Sequence, residues 1–259
     1  MAEARASLSV LLTVKNEEAM LPGALASVRG LAEETVVVVD AASTDSSADL
    51  ARDFGAKVFT NPFVSSSQQV NFGLSRCSQK WVLVLDADER VSEQLRQAIC
   101  RELHWPRYPA YGFRRRNWAL GKTVRFGDWG WDWVVRLLNR DVVRFTERAV
   151  HGVPETPAVG QLSGYLDHFT FRSWQQYLPK LMDYAQRGAQ QAKAKGKRCP
   201  LWLAVARAEW RFFRSLFLRL GILDGGVGLV LAILAAYGTF LKWAIVWSGL
   251  DEADTSNVL

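Results

Sequence analysis

In the stretch from Trp81 to Arg90, WVLVLDADER, two carboxylates stand one residue apart at the end of an apolar, partly β-branched run. Asp86 and Asp88, placed just beyond a strand, can hold a divalent cation through oxygen ligands, and such an ion often bridges to a substrate's phosphates. The plainer alternative is that Asp86 closes a turn and Asp88 caps the helix that follows. Two other polar clusters bear on the choice: Thr13-Val14-Lys15-Asn16-Glu17-Glu18, and Asp40 followed by Ala41-Ala42-Ser43-Thr44-Asp45-Ser46. Ser43, Thr44 and Asp45 are also suited to capping a helix or complementing its dipole. Asp40 precedes the turn and falls outside that explanation. A carboxylate just past a strand can accept hydrogen bonds from a ribose hydroxyl or a base N–H. TVKNEE lacks the glycines of a G-x-G-x-x-G dinucleotide fingerprint, and a P-loop is absent, so phosphate must be met by a metal or by basic side chains.

The elements that must carry these groups alternate. Leu8–Val14, Thr35–Val39, Lys57–Thr60 and Trp81–Leu85 read as strands, and residues 17–28, 44–54 and 66–76 read as helices between them. Short connections between alternating β and α units imply a parallel, doubly wound sheet. In such a sheet ligands bind beyond the carboxyl ends of the strands, which is where all three polar clusters fall.

TVKNEE, VVVVDAASTDSS and LVLDADERVS, in this order and spacing, resemble the signature series of family-two nucleotide-sugar glycosyltransferases with the GT-A fold. The resemblance implies an α/β, Rossmann-like, mostly parallel sheet. It implies that Thr13, Glu17 and Asp40 line the nucleoside pocket, that Asp86 lies near the ribose and metal, and that Asp88 binds a divalent cation (Mg²⁺ or Mn²⁺) on the sugar diphosphate. The segment GDWGWDWVVRLL, Gly127–Leu138, is similar to the family's acceptor segment, with Leu138 where a Phe is usual. The match makes Asp132 the general base, with Asp128 its competitor, and leaves Arg136 to grip the diphosphate or to pair with Asp132. His151, in VHGVPE, is the candidate second metal ligand, because neutral imidazole ligates metals well and several GT-A enzymes complete the site with a later histidine. Asp167-His168 is similar to the family's later Asp-His, without an assigned role.

Between these landmarks, FRRRN (Phe113–Asn117) with Trp118, Lys122 and Arg125 interleaves arginine and aromatic residues. That pattern suits a nucleic-acid groove, a sugar site or a solvated edge strand. The chain of 259 residues carries a formal charge of +6, pointing to an anionic partner. Cys77, Cys100 and Cys199 form no CxxC pair, which argues against a disulfide framework or a zinc site and for a reducing compartment. MAEARASLSV lacks the basic start and apolar core of a signal peptide.

Residues 1–172 are expected to form the catalytic domain, with a nucleotide-sugar half to about residue 90, and 173–259 a helical tail. Within the tail, Trp174–Lys195 and Leu201–Leu220 read as helices, the second carrying Arg207, Arg211 and Arg214 beside Trp and Phe, as a membrane-surface element does. The uncharged run Gly225–Leu241 is marginal for spanning a bilayer and favours a re-entrant or interface-buried helix pair. This tail resembles the membrane-associating end of bacterial lipopolysaccharide core glucosyltransferases. The expected protein is an inverting hexosyltransferase, using UDP-glucose and a lipid-linked saccharide at the cytoplasmic face of the inner membrane, with no nucleic acid partner. A same-fold transferase acting on polyprenyl phosphate or protein, and a non-catalytic basic protein that binds membrane or nucleic acid, are the alternatives.

Overall fold

The computed structural model describes residues 6–146 and 154–249. Compactness divides it into two units, one of residues up to Arg116 with Asp132–Phe169, the other of Asn117–Trp131 with residues from Thr170 onward.

In the first unit, β1 (Ala6–Val14), β2 (Ala32–Asp40), β3 (Lys57–Asn61) and β4 (Trp81–Leu85) are parallel, in the order β3-β2-β1-β4. Helices α1 (Leu21–Ser27), α2 (Ser47–Asp53) and α3 (Ser66–Arg76) connect them. The central strands read as continuous apolar runs because both faces are covered. Leu8, Val10 and Leu12 join Leu21 and Leu25 in one core layer, while Leu11, Val36 and Val38 join Val70 and Leu74 in the other. The expected helices at 17–28 and 44–54 each begin three or four residues late. Their polar leading residues are used instead to tie two loops together: Asn16 N–H donates to Ser43 Oγ (2.9 Å), Thr44 N–H to Asn16 Oδ1 (2.8 Å) and Glu18 N–H to Asp45 Oδ2 (2.8 Å).

The sheet's other half is antiparallel. After β5 (Glu89–Val91) and α4 (Glu93–His104) come β6 (Ala110–Ala119), β7 (Lys122–Val124), β8 (Trp133–Asn139), the two-residue strands β9 (Arg144–Phe145) and β10 (Pro154–Glu155), and β11 (Gly160–Phe171). The order continues β4-β8-β6-β11-β5, with β7 on β6. β5 starts four residues after β4 yet pairs with β11, and four residues reach about 14 Å at most. The antiparallel strands must therefore return to the tip of β4.

At the opposite end of the sheet Glu34 ties four segments together. It accepts from Ser9 Oγ (2.5 Å), the Ser78 N–H and Lys57 Nζ (2.6 Å). Burial opposes its charge, but these donors outweigh it and bring its pKa from 4.5 to about 2. A carboxylate whose pKa falls on folding stabilises above its unfolded pKa and loses that contribution as pH drops through the folded value. Wild type should exceed Glu34→Gln in stability by on the order of 2–3 kcal/mol at pH 7. Urea midpoints taken between pH 4.5 and 2 should show the difference vanishing.

The second unit contains α5 (Trp174–Ala194), α6 (Leu201–Phe213) and α7 (Gly225–Ser248). The helix expected over 201–220 ends in a π turn, Arg214–Leu218, and breaks where Leu220 turns left-handed (φ 57°) before a 3₁₀ turn, Gly221–Asp224. α6 and α7 pack as an antiparallel hairpin: Arg207 lies over Trp243 at one end, while at the other Gly228 meets Gly221 so closely that a Cβ would collide. The uncharged run does not break. α7 runs through Lys242 to Ser248 as one helix long and apolar enough to cross a membrane.

Asp128 is 9% exposed and receives Arg211 Nε (2.9 Å), Arg214 (3.1 Å) and Arg219 (2.8 Å). Arg211 and Arg214 of the basic helix face are thus bound to an internal carboxylate. Asp128→Asn leaves three guanidiniums without their charge partner. Because the arginines are partly solvated, the expected loss is about 2 kcal/mol, below the range for a fully buried pair. A denaturant midpoint unchanged by the substitution would contradict this.

Candidate active site

Adjacent parallel strands deliver their carboxyl ends to one edge, so β1, β2 and β4 bring Thr13, Asp40 and Asp86 to the same side of the sheet. Leu12 is level with Leu85, and Val14 with Val39. Asp40 is 4% exposed; the Ala42 N–H (3.0 Å) and Lys15 Nζ (3.0 Å) hold its pKa below the usual carboxylate range. Half-buried Glu17 begins the turn into α1, its N–H on Ser47 Oγ (2.9 Å).

β8 runs antiparallel to β4, with Leu83 opposite Leu137, so its first residues reach the same edge. Asp132 and Arg136 arrive there, but not as each other's partner. Arg136 binds Asp86 through a short contact and Glu89 Oε1 at 3.4 Å. Asp132 takes Arg115 in a two-point pair, Nε to Oδ2 at 2.8 Å and the terminal nitrogen to Oδ1 at 3.1 Å. Arg115 also reaches Glu89 Oε1 at 3.3 Å. Glu89 is therefore a fully buried bridge between two arginines, and its Oε2 accepts from the Asp86 N–H (3.0 Å). Burial, reinforced by the Asp86 charge, pushes Glu89 up to about 7 against the two guanidiniums. Burial also works to raise Asp86, but Arg136 and Arg115 prevail and keep it low.

Asp88 meets a histidine from β11. His168 is opposite Glu89 in the β5–β11 ladder, the Phe169 N–H donates to the Asp88 carbonyl (2.9 Å), and His168 Nε2 lies 3.6 Å from Asp88 Oδ2. Burial lowers the His168 pKa, with Arg115 adding to it against the pull of the nearby carboxylates, which favours neutral imidazole. Asp167 beside it is clamped by Arg116 in a two-point pair (2.5 and 2.7 Å).

Of the residues expected at the site, Thr13, Glu17, Asp40, Asp86, Asp88, Asp132 and Arg136 gather on this edge of the first unit. His151 lies outside the described residues. Asp128, the competing base, belongs to the second unit and is held by three arginines. Glu89 is the site residue that the sequence pattern did not single out, while Arg115 and His168 stood out only within FRRRN and Asp167-His168, without an assigned role.

This chain also matches known proteins. The model of glycosyl transferase family 2 covers residues 9–159, more than half of it. The chain belongs to glycosyl transferase family 2. The mixed sheet and apolar C-terminal helix accord with the GT-A fold and tail expected from the motifs. Over its length this glycosyltransferase is 29% identical to an uncharacterized glycosyltransferase of Rickettsia typhi, across 92% of this chain and 85% of the relative. It is also 29% identical to the lipopolysaccharide core biosynthesis glycosyltransferase LpsC of Rhizobium meliloti, across 93% and 92%. Among solved structures, glucosyl-3-phosphoglycerate synthase from Mycobacterium tuberculosis, in complex with Mn²⁺, UDP and glucosyl-3-phosphoglycerate, overlaps 45% of this chain and 46% of its own, with a TM-score of 0.36 at 20% identity.

Proposed function

We propose that this glycosyltransferase is an inverting hexosyltransferase that moves glucose from UDP-glucose onto a lipid-linked saccharide of the cell envelope, of lipopolysaccharide-core type. The observation that carries the reading is the linkage of Asp132 to the Asp86–Asp88 turn through Arg115, Glu89 and Arg136, which sets a carboxylate and two guanidiniums beside that turn. Asp132, one-quarter exposed, takes the acceptor hydroxyl's proton as that oxygen attacks the anomeric carbon. The bond from that carbon to the diphosphate oxygen breaks, and Arg136 and Arg115 stabilise the negative charge on the leaving UDP. A single displacement inverts the anomeric centre.

Asp88 and neutral His168 form a fitting donor pair for Mg²⁺ or Mn²⁺, which are commonly held by one or two protein ligands together with substrate phosphates. Among the described residues no larger cluster of His, Cys, Asp and Glu gathers for a metal. A cation there would neutralise diphosphate charge. Thr13, Glu17 and Asp40 would receive the nucleoside. The lipid-linked acceptor rests on the likeness to LpsC and on residues 173–259, which lie in the second unit and are read as a membrane-associating tail to a catalytic part of residues 1–172.

The tail is best accounted for as lying in the interface of the inner membrane's cytoplasmic leaflet. Asp128 and Arg211 adjoin Leu231 and Ala235, midway along α7, so a spanning α7 would drag an ion cluster to the bilayer centre. Trp202, Trp210, Phe213, Phe217, Leu218 and Leu223 are exposed and supply an apolar face.

The test supplies purified full-length protein with UDP-glucose, Mn²⁺ and lipopolysaccharide from a strain lacking the gene. Transfer with inverted anomeric configuration by NMR is expected, and an unaltered core sugar profile in that strain would count against the acceptor.

A further inference from the structure

We propose that Lys195, Lys197, Arg207 and Lys242 form a binding site for the phosphate of an anionic phospholipid head group, with the Trp243 indole as its floor. This rests on the interfacial placement of the second unit proposed above and gives it a chemical specificity.

Lys242 is the first charge after Asp224 along α7, interrupting a helix otherwise free of charge. Its stem passes Gly188 of α5, where an added Cβ would stand 3.1 Å from Cδ, so the small residue leaves the side chain its path. Its Nζ is 5.2 Å from the centre of the Trp243 ring, and the Arg207 guanidinium, coming from α6, is 4.0 Å from the same ring. Cations from two helices therefore share one indole. Lys195 caps α5 and Lys197 follows it, both exposed. Burial, and then the charges of Lys197, Arg207 and Lys195, depress the Lys242 pKa.

The contrast with the other end of the hairpin is informative. There Arg211, Arg214 and Arg219 converge just as closely, but on a carboxylate, Asp128. Where Arg207 and Lys242 converge, the described residues supply aromatic faces. Trp202 on α6 and Trp247 on α7 are exposed at this end, and indoles favour the polar–apolar boundary where phosphates lie. A cationic cluster beside exposed tryptophans and an apolar helix face is complementary to an anionic membrane surface. Each basic residue near such a surface strengthens attachment about fivefold.

The experiment sediments the full-length protein with vesicles of phosphatidylcholine alone and of phosphatidylcholine with about 30 mole per cent phosphatidylglycerol, which carries a negative surface potential. Wild type should bind the anionic vesicles at least about tenfold more tightly. Replacing all four cations, K195Q/K197Q/R207Q/K242Q, should abolish that preference while leaving phosphatidylcholine binding unchanged. The charge-keeping variant R207K/K242R should retain most of the preference, and its circular dichroism melt guards against misfolding in the set. Vesicle binding that ignores phosphatidylglycerol, or a quadruple variant as selective as wild type, overturns the site while sparing the interfacial reading. Wild type that binds neither vesicle overturns both. Displacement from anionic vesicles by millimolar inorganic phosphate at constant ionic strength would reassign the site to free phosphate and overturn the lipid assignment.

Discussion

Asp132→Asn is expected to lower kcat for hexosyl transfer by about 10²–10⁴-fold, the usual contribution of a positioned general base, with UDP-glucose affinity nearly unchanged. The substitution keeps size and hydrogen-bonding capacity, so the Arg115 contact survives in weakened form while the proton acceptor is lost. Asp132 is linked to Asp86 through Arg115, Glu89 and Arg136, so a change from carboxylate to amide acts on the donor side indirectly. A kcat effect without a matching KM effect is the mark of an interaction needed in the transition state. A rise in KM with kcat intact would instead make Asp132 an acceptor-binding group. Turnover close to wild type would move the base elsewhere, and Asp128 is a poor heir, occupied as it is by three guanidiniums in the second unit.

The half of the molecule that binds nucleotide in this reading is the half legible in the sequence. Buried parallel strands must be apolar along their whole length, so Val36–Val39 and Trp81–Leu85 announce themselves, and α3 and β4 begin and end where the pattern places them. The polar residues that break those runs are the strand tips, which is why Asp40, Asp86 and Asp88 could be read as one group. The antiparallel half offers no such signal. Arg114, Arg115 and Arg116 suit a nucleic-acid groove, a sugar site or a solvated edge alike, yet β6 lies between β8 and β11, and Arg115 and Arg116 each close a two-point pair with a carboxylate distant in sequence. Glu89 is hidden for a related reason. A buried glutamate is recognisable only once its arginines, 26 and 47 residues away, are known. Asp128 and Asp132, four residues apart, are sorted into different units by helices that come much later in the chain. Local pattern finds groups set by one strand's end; it does not find groups set by which strands become neighbours.

His168, visible in the sequence only as part of an Asp-His pair without a role, yields the second large effect. Its approach to Asp88 depends on β11 pairing with β5 across 79 residues, His168 opposite Glu89, a register that no local spacing encodes. Asp88→Ala should abolish the Mn²⁺-dependent part of UDP binding, a loss of about 100-fold or more in calorimetric titration, since even outer-shell changes at metal sites cost about 10–100-fold. His168→Ala should fall within about 10–100-fold. In EDTA, where metal contributes nothing, both variants should bind UDP as wild type does, which separates a ligand from a residue that merely shapes the pocket. His151→Ala completes the comparison: it should leave the titration unchanged if His168 is the histidine ligand. Weakened binding in His151→Ala with wild-type behaviour in His168→Ala would transfer the role, and Mn²⁺-dependent binding indifferent to Asp88 would remove the cation from this turn. Because the readout is binding, the result stands whether or not the acceptor has been identified, and it tests the pair of acids at the end of β4 apart from the chemistry attributed to Asp132.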